Sequence, residues 1–352
     1  ILEDPDKLKQ VIKEELEYIR EEYGDDRKSP IEERLDLTTE DLIKPEDMVV
    51  TISRLGYAKT QPLEVYQSQR RGGVGKTAAS VKEEDFVEQL IVANTHDTLL
   101  CFSNLGKVYW LKVYEIPQAS RVAKGRPLVN LIQLDSEERI TSLLNVESFD
   151  AAGFVFMATM KGVVKKTPLE DFRLPRKNGK RAIKLDAKDE LVGTKITDGK
   201  QHIMLISDAG KAVYFDEKDS RPLGRDTRGV KGIELDDEQK VISLMVPGSE
   251  DEILTVSENG FGKKSRITDF RKTKRGAKGV IAMQLSERNG KLISAVQVLD
   301  DDEVILITDK GTLVRTKVSE ISTFGRNTQG VRVIKLKENE KLNKLALALE
   351  KD

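Results

Sequence analysis

The chain has 352 residues, of which 38% are hydrophobic, 34% are charged and only 5% are aromatic. No run of about 18 apolar residues occurs, and the first residues lack the basic flank and apolar core of a signal peptide, so we expect neither a membrane span nor a leader. One cysteine, Cys101, and two histidines, His96 and His202, exclude an internal disulfide and a zinc site of the usual spacing, which favours a reducing cytoplasm.

The net charge of −1 hides an asymmetry along the chain. Residues 1–50 hold 8 Lys and Arg against 17 Asp and Glu, a net charge of −9, whereas residues 51–352 hold 51 against 43, a net charge of +8. A basic second part makes an anionic partner plausible, although a solvated surface of mixed charge is an equally good explanation of the charge alone.

The first 47 residues predict a helix and a linker. Residues 4–23 have Asp4 as a cap, Pro5 at the first helical position and an apolar face, which is typical of a helix. Residues 25–47 are polar and acidic and contain two prolines, so we expect a linker, with a short helix near Thr39–Asp41.

From Met48 onward a first motif recurs six times. It consists of an apolar strand, then Ser/Thr-x-x-Gly, then a second strand, and its glycines are 48 to 56 residues apart. Each copy predicts a β-hairpin whose glycine takes the left-handed conformation of a tight turn. The six copies are Ser53–Gly56, Ser103–Gly106, Thr159–Gly162, Ser207–Gly210, Ser257–Gly260 and Thr308–Gly311.

A second motif, a loop of cations and glycines, follows each hairpin turn by about 20 residues. Strands are expected after most of these loops, for example at Val129–Ile132 and Val331–Ile334, and a third apolar element such as Val241–Met245 closes most repeats. The six loops lie at Gln69–Lys76, Arg121–Gly125, Arg176–Gly179, Arg225–Gly232, Lys274–Gly279 and Arg326–Arg332.

Two motifs that recur in phase predict six units of about 50 residues with roughly four strands each. Small sheets of this kind bury their faces on their neighbours, which favours a closed radial array. The fold class is therefore all-β: a six-bladed, propeller-like β-pinwheel over residues 48–352, preceded by the N-terminal helix and the linker.

Equivalent loops in a ring occupy equivalent positions, so the cations are expected to form one basic rim. Such a rim suits bent duplex DNA, because Lys and Arg bind phosphates without reading sequence, and the scarcity of aromatic residues argues against single-strand binding. The alternative is that the loops are ordinary solvated turns. The predicted DNA-binding residues are Gln69, Arg70, Arg71, Gly72, Gly73, Gly75, Lys76, Arg121, Lys124, Arg126, Arg176, Lys177, Lys180, Arg181, Arg225, Arg228, Lys231, Lys274, Arg275, Lys278, Arg326 and Arg332.

Catalytic interpretations of the sequence are weak. Residues Gly72–Thr77 look like a phosphate loop, but Arg70 stands where the usual form needs glycine, and no α/β pattern surrounds the segment. Neither His96, in an expected turn, nor His202, at the start of an expected strand, has partners for acid–base chemistry. We expect no catalytic residue, no metal and no cofactor in this chain.

Gln69–Gly75 resembles the signature box in the C-terminal domain of the DNA gyrase A protein, and further runs match the same family. One departure is Val74, at a position that is often basic in the family, which reduces the cations of the box by one. Residues 1–24 look like the terminal helix of the breakage-reunion region. The further matching runs are Lys82–Phe86, Val92–Asp97, Gly125–Leu131, Val318–Ser322 and Gly325–Gly330.

The resemblance implies a six-bladed β-pinwheel that wraps duplex DNA around its basic edge with positive crossing. It implies that the holoenzyme, an ATP-hydrolysing type II topoisomerase, uses this wrap to introduce negative supercoils, with ATP and Mg²⁺ bound elsewhere. The implied partners are the rest of the gyrase A protein and the gyrase B protein, in an A2B2 assembly of the bacterial cytoplasm associated with the nucleoid. The chain alone would be monomeric and non-catalytic.

Two other functions remain open at this point. One is the equivalent domain of a topoisomerase IV-like protein, which in that family lacks an intact box. The other is a propeller that binds an acidic protein through its charged rim.

Overall fold

The structure, a computed structural model, describes residues 4–25, 29, 40–53, 55–63, 87–120, 123–135, 137–310 and 312–347. Contacts divide the chain into two compact units, Ile1–Leu42 and Ile43–Asp352.

The first unit contains the predicted helix. Helix α1 (Pro5–Tyr23) begins after Asp4, whose carboxylate accepts hydrogen bonds from the backbone N–H groups of Asp6 and Lys7. None of its residues is buried. The predicted short helix is a single 3₁₀ turn at Glu40–Leu42. Within the described part of the chain, no helix is both long and apolar enough to cross a membrane.

The second unit consists of strands joined by turns and short 3₁₀ helices. The strands are β1 (Asp47–Ser53), β2 (Tyr57–Pro62), β3 (Val87–Asn94), β4 (Thr98–Ser103), β5 (Lys107–Lys112), β6 (Arg126–Pro127), β7 (Ile140–Val146), β8 (Phe154–Thr159), β9 (Val163–Pro168), β10 (Lys180–Arg181), β11 (Leu191–Thr197), β12 (His202–Ser207), β13 (Lys211–Asp216), β14 (Val230–Lys231), β15 (Val241–Met245), β16 (Glu252–Ser257), β17 (Phe261–Arg266), β18 (Val280–Ile281), β19 (Leu292–Val298), β20 (Glu303–Thr308), β21 (Leu313–Lys317), β22 (Val331–Arg332) and β23 (Leu342–Leu347). The 3₁₀ helices are Val113–Glu115, Leu128–Asn130, Leu169–Phe172, Glu217–Asp219, Ile267–Asp269 and Val318–Glu320.

The predicted hairpin turns are confirmed where they are described. In the turn of the fourth repeat, the N–H of Gly210 donates to the carbonyl of Ser207 at 3.0 Å, and Gly210 has a φ of +72°. The Ser207 hydroxyl accepts a second bond from the N–H of Lys211 at 3.3 Å, which explains why the motif begins with Ser or Thr. The equivalent glycines Gly56, Gly106, Gly162 and Gly260 also have positive φ, whereas Gly311 lies outside the described residues.

Replacing Ser207 by alanine should lower the free energy of unfolding by about 1 kcal/mol, because the N–H of Lys211 loses the hydroxyl acceptor. Urea denaturation measures the change. Ser148→Ala is the matched control, since the Ser148 hydroxyl accepts from the exposed N–H of Asp150 and its loss should cost no more than about 0.5 kcal/mol. Equal losses in the two variants would contradict the role given to the turn hydroxyl.

The strands form six sheets, which confirms the all-β, six-bladed prediction. Their orders are β3-β1-β2-β6, β10-β5-β4-β7, β11-β8-β9-β14, β15-β12-β13-β18, β19-β16-β17-β22 and β21-β20-β23. All named strand pairs are antiparallel; in the fourth sheet, for example, Leu205 faces Val213 on β13 and Leu244 on β15.

The prediction of roughly four strands in each repeat is confirmed for repeats two to six, but the four strands of one repeat do not form one sheet. Each of the five complete sheets takes three strands from its own repeat, and its fourth, outer strand comes from the basic loop of the next repeat: β14 of the fourth repeat, for instance, pairs with β9 of the third sheet. The strand predicted at Val129–Ile132 was wrong, because Leu128–Asn130 is a 3₁₀ helix. The strand predicted at Val331–Ile334 is reduced to Val331–Arg332.

The strands opposite the outer edges lie where neighbouring sheets meet. Strand β7 contacts β11, β11 contacts β15, β15 contacts β19, and β19 contacts β23. Side-chain hydrogen bonds join them, as between the Ser243 hydroxyl and the Ala295 carbonyl at 2.8 Å. Apolar clusters fill the space between sheets, and each shares residues from two neighbouring sheets; Phe156 and Phe215, for example, lie in one cluster. The two-residue strands are left on the outer edge.

Candidate nucleic-acid interface

The basic loops of repeats two to six, as far as the structure describes them, are fixed to the sheet before them through glycines. The carbonyl of Gly162, in the hairpin turn of the third sheet, accepts from the N–H groups of Gly232 and Ile233 at the end of the basic loop of the fourth repeat. Gly229 of that loop has a φ of +96°, and a Cβ added there would lie 2.5 Å from the carbonyl oxygen of Val164. Only glycine fits both the conformation and the close approach.

The loops of repeats two, five and six approach their sheets equally closely. Added Cβ atoms at Gly125, Gly279 and Gly330 would lie 2.3 to 2.6 Å from a backbone oxygen of the preceding sheet. The second motif therefore places its cations on the outer edge of the sheet formed by the previous repeat.

Consecutive basic loops also bind one another. Three backbone N–H groups donate to backbone carbonyls of the next loop, each at 3.0 Å. The pairs are Lys184 to Thr227, Glu234 to Ala277 and Gln284 to Thr328. These bonds connect the loops of repeats three to six in series, and we call the cations of these loops the basic band. These cations are Arg176, Lys177, Lys180, Arg181, Arg225, Arg228, Lys231, Lys274, Arg275, Lys278, Arg326 and Arg332.

Two arginines of the basic band also act as braces. Arg275 Nε donates to the Asp219 carbonyl at 3.1 Å, and Arg326 Nε donates to the Asp269 carbonyl at the same distance. Each guanidinium also donates to the outer strand of the preceding loop, Arg326 Nη1 to Ile281 at 3.0 Å and Arg275 Nη1 to Lys231. Some of their donors are thus used within the protein, which leaves fewer for phosphate.

Most other predicted cations of the basic band are exposed. Arg176, Lys177, Lys231, Lys274 and Lys278 are exposed, and none of them forms a salt bridge among the described residues. Arg181 lies 3.9 Å from Asp226, and Arg228 pairs with Asp186. Exposed pairs of this kind contribute at most about 1 kcal/mol, so a phosphate can replace the carboxylate.

Like charges converge where the loops of repeats three and four meet. Partial burial, followed by the positive charges of Arg225 and Arg176, lowers the pKa of Lys180. An open cavity of about 360 Å³ between the turn of the third sheet and the loop of the fourth repeat is lined by Lys161, Arg228 and Lys231 together with glycine and aliphatic residues. Repulsion among these cations is relieved by an anion, so the arrangement favours phosphate binding.

Aromatic rings support several cations of the loops. The ammonium of Lys180 lies 5.7 Å from the centre of the Trp110 ring, and that of Lys124 lies 5.9 Å from Tyr57. The guanidinium of Arg332 lies 5.5 Å from the ring of Phe261. Contacts of this kind orient the cation without neutralising it.

Part of the predicted site lies outside the described residues. This part comprises Gln69, Arg70, Arg71, Gly72, Gly73, Gly75, Lys76 and Arg121, and it includes the segment that looks like a phosphate loop. Of the second repeat, Lys124 and Arg126 are described and both are exposed. In the described part of the chain, no group of three or more His, Cys, Asp or Glu side chains could hold a metal ion.

The sequence analysis missed three buried lysines beneath the loops, Lys59, Lys165 and Lys263. Each is the third residue after the hairpin glycine of repeats one, three and five. A lysine at a strand position that should face inward, repeated in every second unit, was the signal that could have found them.

Comparison with known proteins gives a family model and close relatives. The model described as "DNA gyrase C-terminal domain, beta-propeller" matches residues 47–94, 97–147, 153–198, 201–247, 251–298 and 302–348. The DNA gyrase A protein of Salmonella typhimurium is 51% identical over 336 residues, which cover 95% of this chain and 38% of that protein. The DNA gyrase A protein of Buchnera aphidicola from Acyrthosiphon pisum is 57% identical over 343 residues, 97% of this chain and 41% of that protein. The chain thus spans about two fifths of these relatives.

Two solved structures are similar along most of the chain. The C-terminal domain of DNA topoisomerase IV superposes with a TM-score of 0.76 at 27% identity and covers 87% of this chain and 94% of that one. The DNA gyrase A C-terminal domain gives a TM-score of 0.66 at 27% identity, covering 86% and 99%.

Proposed function

The chain belongs to the DNA gyrase C-terminal β-propeller family, and from this we propose that it binds duplex DNA and bends it along the basic band. The bound DNA follows the outer edges of successive sheets, with its phosphates against the exposed cations. Binding is independent of sequence, since the contacts go to the backbone.

The observation that carries the proposal is the hydrogen-bonded series of loops from repeat three to repeat six. One isolated cluster could not offset the cost of bending 20–30 base pairs, which is on the order of 1–6 kcal/mol. Cation clusters on successive loops add phosphate contacts as the duplex curves, so contacts next to each bend offset the free energy of bending.

We extend the proposal to the whole protein. The chain is the DNA-wrapping part of the gyrase A protein, working with the rest of that protein and with the gyrase B protein in an A2B2 assembly of the bacterial cytoplasm. The holoenzyme uses ATP and Mg²⁺, both bound outside this chain, to introduce negative supercoils, and the wrap supplies a positive crossing. This chain contributes no catalytic residue.

A topoisomerase IV-like function is the second candidate, because the topoisomerase IV domain superposes with the higher TM-score of the two structures. The sequence favours gyrase: the gyrase A relatives described above are 51% and 57% identical, against 27% for that domain, and residues 69–75 hold the box.

Ligation of a nicked plasmid with the chain bound tests the proposal. We expect each bound chain to leave a positive change in linking number. The gel-shift affinity should rise with duplex length up to on the order of 100 base pairs, a length comparable to one turn around a histone octamer. An unchanged linking number with DNA bound would contradict wrapping, and binding insensitive to salt and length would favour a protein-binding propeller instead.

A further inference from the structure

The third residue after the hairpin glycine alternates around the propeller. It is lysine in the first, third and fifth repeats, namely Lys59, Lys165 and Lys263. In the second, fourth and sixth repeats it is Tyr109, Val213 and Val314. Every second sheet therefore carries an ammonium at a position where its neighbours carry an apolar or aromatic side chain.

Lys165 and Lys263 are fully buried, and their ammonium groups bind backbone carbonyls of the basic loop of the next repeat. Lys165 also binds the carbonyl of Ala182, which follows the basic loop of its own repeat. Lys165 Nζ donates to Ala182 at 2.7 Å, to Thr227 at 3.4 Å and to Arg225. Lys263 Nζ donates to Gly325 at 2.7 Å and to Arg326 at 2.6 Å, and also to the Ser265 hydroxyl at 3.0 Å.

Lys59 makes the same kind of contact in the first sheet. It is 8% exposed, and its ammonium donates to the carbonyls of Ser120 at 3.3 Å and Ala123 at 3.1 Å, on either side of Arg121. A buried ammonium is costly unless its donors are satisfied.

The same three sheets share a second feature. In each of them, and in no other described sheet, the second strand forms a parallel bridge to the segment that leads into the next repeat's basic loop. The bridges are Thr60–Gln118, Lys166–Pro222 and Lys264–Thr323.

We propose that Lys59, Lys165 and Lys263 are positioning residues for DNA binding, each holding the backbone of the basic loop of the next repeat in the shape that presents its cations. The proposal rests on the proposed function for its consequence on DNA, but not for the contacts themselves. The loops of repeats two, four and six are held by ammonium groups, while the glycines of the loops of repeats three and five lie against Tyr109 and Val213. Lys165 reaches repeat three only at Ala182, after its loop.

A charged lysine under the loop also contributes to the positive potential at the surface. Desolvation by burial lowers the pKa of Lys165 to about 7, opposed by Asp226 and Asp171 and reinforced by Arg225. Burial lowers the pKa of Lys263 to about 8, opposed by Asp269 and reinforced by Arg326. Bound phosphate stabilises the charged form, so DNA binding takes up protons between about pH 7 and 8, and affinity falls as pH rises through this window.

Folding stability should follow the opposite trend. The unfolded chain keeps the ordinary lysine pKa of about 10.4 and binds these protons more tightly than the folded chain, so the lysines make stability rise with pH between about 7 and 10. Weaker DNA binding at higher pH therefore cannot be explained by loss of fold.

The double variant Lys165→Met, Lys263→Met of the 352-residue chain tests the proposal. Methionine keeps the approximate length and apolar stem of lysine and removes the ammonium. We expect backbone hydrogen exchange at residues 224–228 and 325–328 to quicken about tenfold or more, because the charge-assisted hydrogen bonds are lost. For the same reason, the affinity for a duplex of about 100 base pairs at pH 6.5 should fall about fivefold or more. Between about pH 6.5 and 8.5, wild-type affinity should fall about three- to tenfold more than that of the variant.

Lys200→Met, Lys218→Met is the matched control, since it removes two exposed positive charges outside the basic loops. Unchanged exchange in the double variant overturns the proposal whether or not the chain wraps DNA. Quickened exchange with unchanged affinity and pH profile overturns the role in DNA binding. If the double variant does not fold, a wild-type DNA affinity that stays constant between about pH 6.5 and 8.5 overturns the role in DNA binding. Failure of the wild-type chain to bind any duplex overturns the proposed function instead, and the exchange result still decides the contacts.

Discussion

Replacing Lys231, Lys278 and Arg332 by glutamine is expected to lower the affinity for duplex DNA by about 10²–10³-fold at about 0.1 M salt. Lys231 and Lys278 are exposed, their side chains have no hydrogen-bond or salt-bridge partner among the described residues, and Arg332 stacks on the ring of Phe261. All three can therefore bind phosphate. Each lost contact should also reduce the slope of log affinity against log salt by about 0.9.

Filter binding over a series of salt concentrations measures both quantities. The matched control is Lys9→Gln, Lys200→Gln, Lys218→Gln, which removes three exposed charges outside the basic loops. If net charge alone drives binding, the two triple variants lose equal affinity, and the basic band is then not the DNA site. A loss confined to the first variant, with its salt slope reduced by about 2.7, supports the site.

Replacing Gly229 by alanine should lower the free energy of unfolding by about 3 kcal/mol. Alanine is strained at a φ of +96°, and its Cβ would lie 2.5 Å from the Val164 carbonyl oxygen, so strand β14 must move away from β9. Because β14 carries Lys231 and closely follows Arg228, DNA affinity should fall together with stability.

Gly224→Ala provides a control close to the same loop. No atom lies within 4 Å of a Cβ added at Gly224, and its φ is not positive, so we expect a change within about 0.5 kcal/mol. Thermal or urea unfolding of the two variants, with DNA binding measured below the transition, gives the comparison. Similar stabilities would show that the outer strand does not depend on the glycine contact.

The sequence predicted which residues belong to the candidate site, but only some of the contacts that their side chains make. The basic loops were identified from their cations and glycines, and their exposure at Lys231 and Lys278 agrees with that prediction. That DNA binds there stays a prediction. The bracing role of Arg275 and Arg326 was not predictable, because their carbonyl partners lie 44 to 57 residues away in the chain.

The sequence by itself determined the number of repeats, the hairpins and the phase of the basic loops. These features depend on short-range chemistry: alternating apolar residues, a hydroxyl that accepts in the turn, and a glycine with positive φ. Only the tertiary structure decided which sheet each outer strand joins. A strand of two residues such as β14 has no hydrophobic pattern of its own, and the Val164 that pairs with its Val230 is 66 residues away. The environment of Lys165 was decided in the same way, since only the packed fold brings carbonyls from two separate loops to one ammonium.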